Sequence, residues 1–110
     1  MTLTLTNILD PLPQTGAGED FTTLLARPGV TIERIVSRGH VTSPDEDYDQ
    51  DRDEWVLLIA GAARLWLEDR GEIALATGDS LFIPAHLRHR VTWTQDEPAT
   101  VWLAVHMEPR

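Results

Sequence analysis

The sequence contains no cysteine and no lysine. Without cysteine, the chain cannot form a disulfide framework, a thiolate metal site or a thiol nucleophile. Without lysine, Schiff-base catalysis is excluded, and the nine basic residues are all arginine. Any chemistry therefore falls to carboxylates, four histidines, arginine, serine, threonine and a single tyrosine.

Positive charge and long apolar runs are also scarce. The 18 acidic residues exceed the 9 basic ones and give a net charge of −9. Nucleic acid and anionic membranes, which bind basic surfaces, are therefore not expected as partners. No segment approaches the run of about 20 apolar residues that spans a bilayer. The opening MTLTLTNILD lacks the basic and apolar stretches of a signal peptide, so the prediction is a cytoplasmic protein.

The length of 110 residues predicts one domain. Turn residues dominate residues 1–20, which we expect to form an N-terminal arm, with a short edge strand where Thr and Leu alternate from Thr2 to Thr6. Residues 21–110 form the predicted barrel. Their short alternating or apolar runs, separated by turn residues, predict eight strands, at 21–26, 30–37, 54–60, 63–68, 72–76, 80–83, 89–94 and 100–106. This pattern is typical of an all-β barrel or sandwich.

Seven carboxylates lie between Asp45 and Glu54. Their mutual repulsion must be screened by water, arginine or a cation, and their spacing suggests calcium. However, counting from Asp45, the EF-hand pattern fails, because Gln50 stands where glycine is required and Val56 where the bidentate glutamate belongs. Glu54 differs from the others because it begins an apolar strand, where a carboxylate must be paired, coordinated or at the rim.

The segment 89–94 alternates, so that His89, Val91 and Trp93 are predicted to face the core. His86 lies three residues before His89, and Glu54 begins another predicted strand. Imidazole and carboxylate together suit zinc, nickel, iron or manganese better than calcium. His106 and His40 are predicted to lie at the surface, although either could reach the site.

These residues resemble the two motifs of the cupin family. GDSLFIPAHLRHRVTW matches the second motif at Gly78, Pro84 and His89, and EWVLLIAG matches the end of the first motif at Glu54 and Gly61. The resemblance covers about residues 30–106. It implies an all-β fold, the cupin double-stranded β-helix or jelly-roll barrel (RmlC-like). The segment Tyr48-Asp49-Gln50, followed by Asp53-Glu54-Trp55, also resembles an uncharacterised bacterial subgroup of cupins. The resemblance to cupins also implies a homodimer, since cupins commonly pair through their N-terminal strands.

The departures from the family pattern concern the metal. Cupins usually hold it with two histidines and a glutamate from the first motif and one histidine from the second. The two first-motif positions hold either Asp47 and Asp49 or Tyr48 and Gln50, depending on the spacing. The resemblance implies Glu54 and His89 as ligands of a divalent ion (Zn, Ni, Fe or Mn), completed by Asp49, Asp47 or His86.

Three functions stay open at this stage. The first is a metal-dependent enzyme acting on a small oxygen-rich metabolite by oxygenation, isomerisation, decarboxylation or a lyase step. In that enzyme Tyr48 or His86 is the acid or base. Arg34 or Arg38 would hold a substrate carboxylate, and Trp93 would line the substrate pocket. The second is a metal-free barrel that binds a small ligand as a sensor or carrier. The third is a non-catalytic barrel stabilised by calcium on the acidic loop.

Overall fold

The computed structural model describes residues 2–109 and confirms the all-β prediction. All eight predicted strands are present, and no boundary differs from the prediction by more than one residue. The strands are β1 (Asp20–Arg27), β2 (Val30–Ser37), β3 (Asp53–Ala60), β4 (Ala62–Leu67), β5 (Gly71–Ala76), β6 (Ser80–Ile83), β7 (His89–Thr94) and β8 (Thr100–Met107). The part of the chain that the structure describes holds no helix able to span a lipid bilayer.

The strands form two antiparallel sheets that enclose one core. The first sheet has the order β1-β2-β8-β3-β6, and the second has the order β5-β4-β7. Alternation along β3 turns Glu54, Val56 and Leu58 inward, whereas Trp55 and Leu57 face outward. Val56 and Leu58 meet residues of the opposite sheet such as Leu65 in a single buried cluster.

Two glycines of the family motifs have identifiable steric roles. Gly61 has a φ of +83°, and a Cβ there would lie 2.8 Å from the Cα of Thr100. Gly78 has a φ of +95°, which L side chains rarely adopt. Both positions therefore require glycine for conformational reasons, and Gly61 also because the neighbouring backbone is close.

The structure corrects the predicted face of Trp93. The pairing of β4 with β7 shifts register, so that Leu65 pairs with Val91 but Arg64 pairs with Trp93. A β-bulge of this kind inserts one residue and reverses the alternation beyond it. As a result Trp93 is 44% exposed and Thr94 is buried, although His89 and Val91 face the interior as predicted.

Residues 2–19 form no strand, so Thr2–Thr6 is not an edge strand, and β1 begins at Asp20, the last residue assigned to the arm. The later part of the arm is held against the barrel by two arginines. Arg34 donates to the carbonyl oxygen of Ile8 at 3.2 Å, and Arg38 donates to that of Pro13 at 3.3 Å. Arg34 also donates to the hydroxyl of Thr22 at 3.2 Å and lies 4.0 Å from the Asp20 carboxylate. Neither Arg34 nor Arg38 lines the chamber, so the structure does not bring them to the interior as anchors for a substrate carboxylate.

His40 makes a third contact with the arm. Its Nδ1 accepts a hydrogen bond from the backbone N–H of Arg38, so its Nε2 carries the proton and donates to the carbonyl oxygen of Gly16 at 3.1 Å. His40 therefore holds the arm and does not join the interior site.

Candidate functional site

The barrel encloses a chamber of about 70 Å³ between the two sheets. Apolar side chains such as Val56, Leu65 and Trp102 line much of it. At 10–15 Å³ for each water, this is room for roughly five non-hydrogen atoms. The chamber can therefore hold the end of a small molecule.

Glu54 and His89 face each other inside this chamber. Their side chains are 8% and 7% exposed, and Oε1 of Glu54 lies 3.6 Å from Nε2 of His89. Nδ1 of His89 donates to the carbonyl oxygen of Leu87 at 2.9 Å, which fixes the ring. Oε1 of Glu54 has no hydrogen-bond partner. A buried acceptor without a donor is costly, so this atom is the natural contact point for a bound group.

The charge of Glu54 also acts on His89. Burial lowers the pKa of His89, but the interaction with Glu54 and the Leu87 carbonyl outweighs burial and raises the pKa overall. The pair therefore holds a proton more firmly than a free imidazole does. The Tyr48 ring stacks on the His89 ring at 5.4 Å between centroids, and the two residues form a backbone bridge. Burial, followed by the charges of Glu19 and Glu54, raises the pKa of the Tyr48 phenol, so it stays protonated near neutral pH.

A second imidazole–carboxylate pair lies beside the first. Glu54 pairs with His106 across β3 and β8, and Nε2 of His106 lies 3.0 Å from Oε1 of Glu33. The hydrogen bond to Glu33 raises the pKa of His106 against the opposing effect of burial. His106 is 8% exposed, so the expectation of a surface position is wrong.

The structure also resolves which side chains of the acidic loop face inward. Tyr48 and Gln50 line the chamber, and Asp47 does not. The Asp47 carboxylate instead bonds to Arg88 and Arg90, each at 2.9 Å. The hydrogen bond from Arg90, followed by that from Arg88, lowers the pKa of Asp47 in spite of some desolvation.

Asp49 and His86 line a second cavity next to the chamber. Nδ1 of His86 is 2.8 Å from Oδ1 of Asp49, and both side chains are more than half exposed. His86 occupies the place of the motif glycine and keeps the left-handed backbone of that position, with a φ of 65°. Together with Asp51 and Arg52, they line an outer cavity of about 420 Å³, which shares Gln50 and His106 with the chamber. We call this outer cavity the vestibule.

The remaining acidic residues do not form a calcium cage. Asp47 is neutralised by arginine, Asp49 pairs with His86, and Asp53 accepts the backbone N–H of Ala85 at 2.8 Å. Within residues 2–109, no group of three or more His, Cys, Asp or Glu residues could hold a metal ion. The repulsion predicted for this loop is relieved largely by arginine and the backbone.

The same geometry tests the predicted transition-metal site. The structure brings together Glu54 and His89 but leaves Asp47, Asp49 and His86 outside the chamber. Tyr48 and Gln50 fill the two family histidine positions. A catalytic metal site keeps about three protein ligands, so these described residues do not fit a resident transition-metal ion of the family type.

Sequence reasoning missed two polar residues of the chamber, Glu19 and Glu33, and left the inward positions of Gln50 and His106 open. Glu33 is carried inward because β2 pairs Glu33 with Ala104 and Ile35 with Trp102, both of which are inward residues of β8. Strand alternation places His106 on the same face as Trp102, and this signal outweighs its position near the end of the chain. Of the two spacings of the first motif, the one that places Tyr48 at a family histidine position also places Gln50 at the other, and both side chains face inward.

Comparison with known proteins gives the family. A family model described as Cupin domain matches residues 34–106. A solved structure from Ralstonia eutropha JMP134, provisionally named a mannose-6-phosphate isomerase, is 41% identical. The match covers 96% of this chain and 99% of that one, with a TM-score of 0.90.

Two more distant structures share the fold. An RmlC-like cupin from Methanocaldococcus jannaschii, with a double-stranded β-helix, is 17% identical over 88% of this chain and 86% of that one, with a TM-score of 0.69. An RmlC-like cupin from Desulfovibrio desulfuricans is 14% identical over 99% and 100%, with a TM-score of 0.75. No curated protein matches the sequence. The family model and the Ralstonia relative cover most of the chain, and the chain belongs to the cupin family.

Proposed function

We propose that the chamber binds a small oxygen-rich metabolite without a resident metal and that Glu54 and His89 contact it directly. The observation that carries this proposal is the buried Oε1 of Glu54, which makes no hydrogen bond because Nε2 of His89, at 3.6 Å, is beyond hydrogen-bond distance. A hydroxyl group of the ligand would supply a donor. The apolar walls exclude water and strengthen the hydrogen bond.

The volumes agree with this arrangement. About five non-hydrogen atoms fit in the chamber, and the vestibule offers a further 420 Å³. The inserted end of the ligand would meet Glu54 and His89, while the rest would lie beside Gln50 and His106, the two residues that both cavities share.

Isomerisation is a second candidate, favoured by the acid–base pair and by the provisional name of the Ralstonia relative. In a hydroxyaldehyde, the Glu54 carboxylate would take a proton from the carbon that bears the hydroxyl group. The His89 imidazolium would donate a proton to the carbonyl oxygen, which gives an enediol. Proton return to the neighbouring carbon, with loss of the hydroxyl proton to His89, gives the ketone, so no co-reactant is consumed. The Glu54 carboxylate raises the pKa of His89 in spite of burial, which favours the imidazolium form that donates this proton.

Ligand binding tests the proposal directly. A panel of aldoses, ketoses, polyols and hydroxy acids is screened by thermal shift, and the compounds that stabilise the protein are measured by calorimetry. Glu54→Gln keeps the shape of the side chain but loses the charge, and we expect at least a tenfold loss of affinity. Glu72→Gln is the matched control, because Glu72 is exposed and bonds to Arg64 and Thr92 away from the chamber. Equal affinity for the Glu54→Gln protein and the wild type would contradict the proposal.

The divalent ion stays a prediction, and it has its own test. Protein purified without chelator is analysed for Zn, Ni, Fe, Mn and Ca by elemental mass spectrometry. Near-stoichiometric metal that is lost in both Glu54→Gln and His89→Asn would replace the metal-free proposal. Calcium that is lost only in Asp47→Asn with Asp49→Asn would instead support a structural site on the loop.

A homodimer is proposed on separate grounds. The first sheet carries an apolar outer face, formed by Trp55, Leu57, Phe82, Leu103 and Val105, and we call it the outer sheet face. In addition, Leu3 and Leu5 of the arm are 82% and 99% exposed. Large exposed apolar patches mark interaction sites. A second copy seated on the outer sheet face would cover its apolar side chains. The cytoplasmic location also remains a proposal.

A further inference from the structure

We propose that the ligand is an uncharged or positively charged polyhydroxy compound and that phosphate esters are selected against. This inference rests on the proposed function and specifies its substrate class. It departs from the provisional name of the Ralstonia relative, which refers to a sugar phosphate. The argument comes from the charges that line the chamber and the vestibule.

The chamber has more carboxylates than cations. Glu19, Glu33 and Glu54 line it, and the imidazoles of His89 and His106 pair with Glu54 and Glu33 respectively. Glu19 has no such partner and accepts a hydrogen bond from the hydroxyl of Ser37. One negative charge therefore remains even when both imidazoles are protonated.

The vestibule does not reverse this balance. It carries the carboxylates of Asp49 and Asp51 against the guanidinium of Arg52. His86 bonds to Asp49, so any positive charge on the imidazole is already balanced by that carboxylate. A phosphate group in the vestibule would therefore lie among at least as many carboxylates as cationic side chains.

The other arginines near the barrel are turned away from both cavities. Among the arginines within residues 2–109, only Arg52 lines one of the two cavities, the vestibule. Its guanidinium donates to the hydroxyl of Thr31 at 3.2 Å. Arg34 and Arg38 hold the arm, and Arg88 and Arg90 neutralise Asp47 outside the chamber. The described chain also has no helix whose N-terminus could receive a phosphate.

The excess of carboxylates in the two cavities favours ligands that donate hydrogen bonds over ligands that carry negative charge. Carboxylate oxygens accept hydrogen bonds from hydroxyl and ammonium groups, whereas a phosphate dianion is repelled by each uncompensated carboxylate. With one or two excess negative charges within about 8 Å and ordinary salt, the repulsion corresponds to roughly a tenfold loss of affinity.

The test compares ligands that differ in charge. Calorimetry at pH 7 is run with D-mannose, D-mannosamine and D-mannose 6-phosphate, and with dihydroxyacetone and its phosphate, at 50 and 500 mM salt. Each phosphate is expected to bind about ten times more weakly than its parent at low salt, and the difference should shrink at high salt. Asp51→Asn should reduce the same difference, while Asp69→Asn, in the hairpin between β4 and β5, should not.

The outcomes separate this inference from the proposed function. Phosphates that bind as tightly as their parents, or more tightly, overturn the inference. The proposed function still stands in that case if Glu54→Gln weakens their binding. If only the hydroxy acids of the wider panel bind, this inference fails and the proposed function stands. If no compound of either set binds, the proposed function fails and this inference fails with it.

Discussion

His86 occupies a backbone conformation that its own side chain disfavours. Its φ of 65° is in the left-handed region, where a residue with a Cβ is destabilised by roughly 1–2 kcal/mol. Its imidazole bonds to the Asp49 carboxylate, and because both side chains are exposed this contact contributes little stability. A strained residue at the mouth of a cavity suggests a role in binding.

Replacing His86 with glycine should therefore stabilise the fold. For His86→Gly we expect a gain of about 0.5–1 kcal/mol in the free energy of unfolding, since the greater freedom of glycine in the unfolded chain offsets part of the strain relief. Urea denaturation at pH 7 measures this gain. Asp69→Gly is the matched control, because Asp69 has a φ of 67° and lies in a hairpin turn. Both variants should gain stability, and only His86→Gly should also weaken ligand binding. A loss of stability in His86→Gly would show that the imidazole is structurally important.

His106 links stability to pH through its contact with Glu33. The pKa of His106 is raised above its unfolded value of about 6.5, so the folded state binds the proton more tightly than the unfolded state does. The stabilisation is fully present below pH 6.5 and is lost as the pH rises through the folded-state pKa. Glu54 reinforces this rise in pKa and Arg52 opposes it.

His106→Gln should remove this dependence on pH. We expect the wild type to exceed the variant in unfolding free energy by more at pH 5.5 than at pH 8.5, measured by urea denaturation at both values. Parallel profiles for the two proteins would mean that the Glu33–His106 pair does not hold an additional proton.

At the residue scale, the site residues that could be predicted are those whose positions follow from the spacing of the two motifs. Glu54 and His89 lie in the chamber as predicted, because each belongs to a strand whose alternation is clear. Asp47 and Asp49 were proposed as ligands because a loop spacing cannot decide which residues turn inward. The backbone bridge between Tyr48 and His89 makes that choice, and it joins positions 41 residues apart. A pattern of neighbouring residues cannot predict a pairing between positions so far apart in the sequence.

At the scale of elements, strand boundaries were predictable because local turn chemistry sets them. Gly29 and Gly71 have positive φ values in the hairpin turns, and Pro84 follows the end of β6. The bulge in β7 was not predictable, because periodicity counts residues and the bulge depends on how β4 pairs with β7. Trp93 was misplaced for this reason alone.

In the arm, a strand-like pattern occurs where no strand forms, because periodicity does not reveal whether a pairing partner exists. Residues 2–6 alternate as a strand would, but a strand needs a neighbour, and the arm is held by side chains of β2 and the following loop at the carbonyl oxygens of Ile8, Pro13 and Gly16. Leu3 and Leu5 are therefore left exposed. An alternating pattern predicts a strand only where a pairing edge is available.

At the scale of the whole molecule, β3 and β8 are apolar on both faces. Their inward residues, such as Leu58 and Trp102, are buried in the core, whereas the outer sheet face carries side chains of the same kind that this chain leaves partly exposed. Strands with two apolar faces are typical of sheets covered on both sides. A single copy covers one side, which supports the proposed dimer.

A charge placed in the outer sheet face should separate the two copies. Phe82 is 52% exposed and pairs with Trp55, so Phe82→Glu would bury an unpaired carboxylate in the proposed interface. Sedimentation or light scattering at micromolar concentration should show a wild-type mass near twice 12.3 kDa and a variant mass near 12.3 kDa. Trp93→Glu, at a residue 44% exposed on the other sheet, is the matched control and should leave the mass unchanged. A monomeric wild type would reject the dimer. A wild-type dimer that persists in Phe82→Glu and dissociates in Trp93→Glu would place the interface on the second sheet.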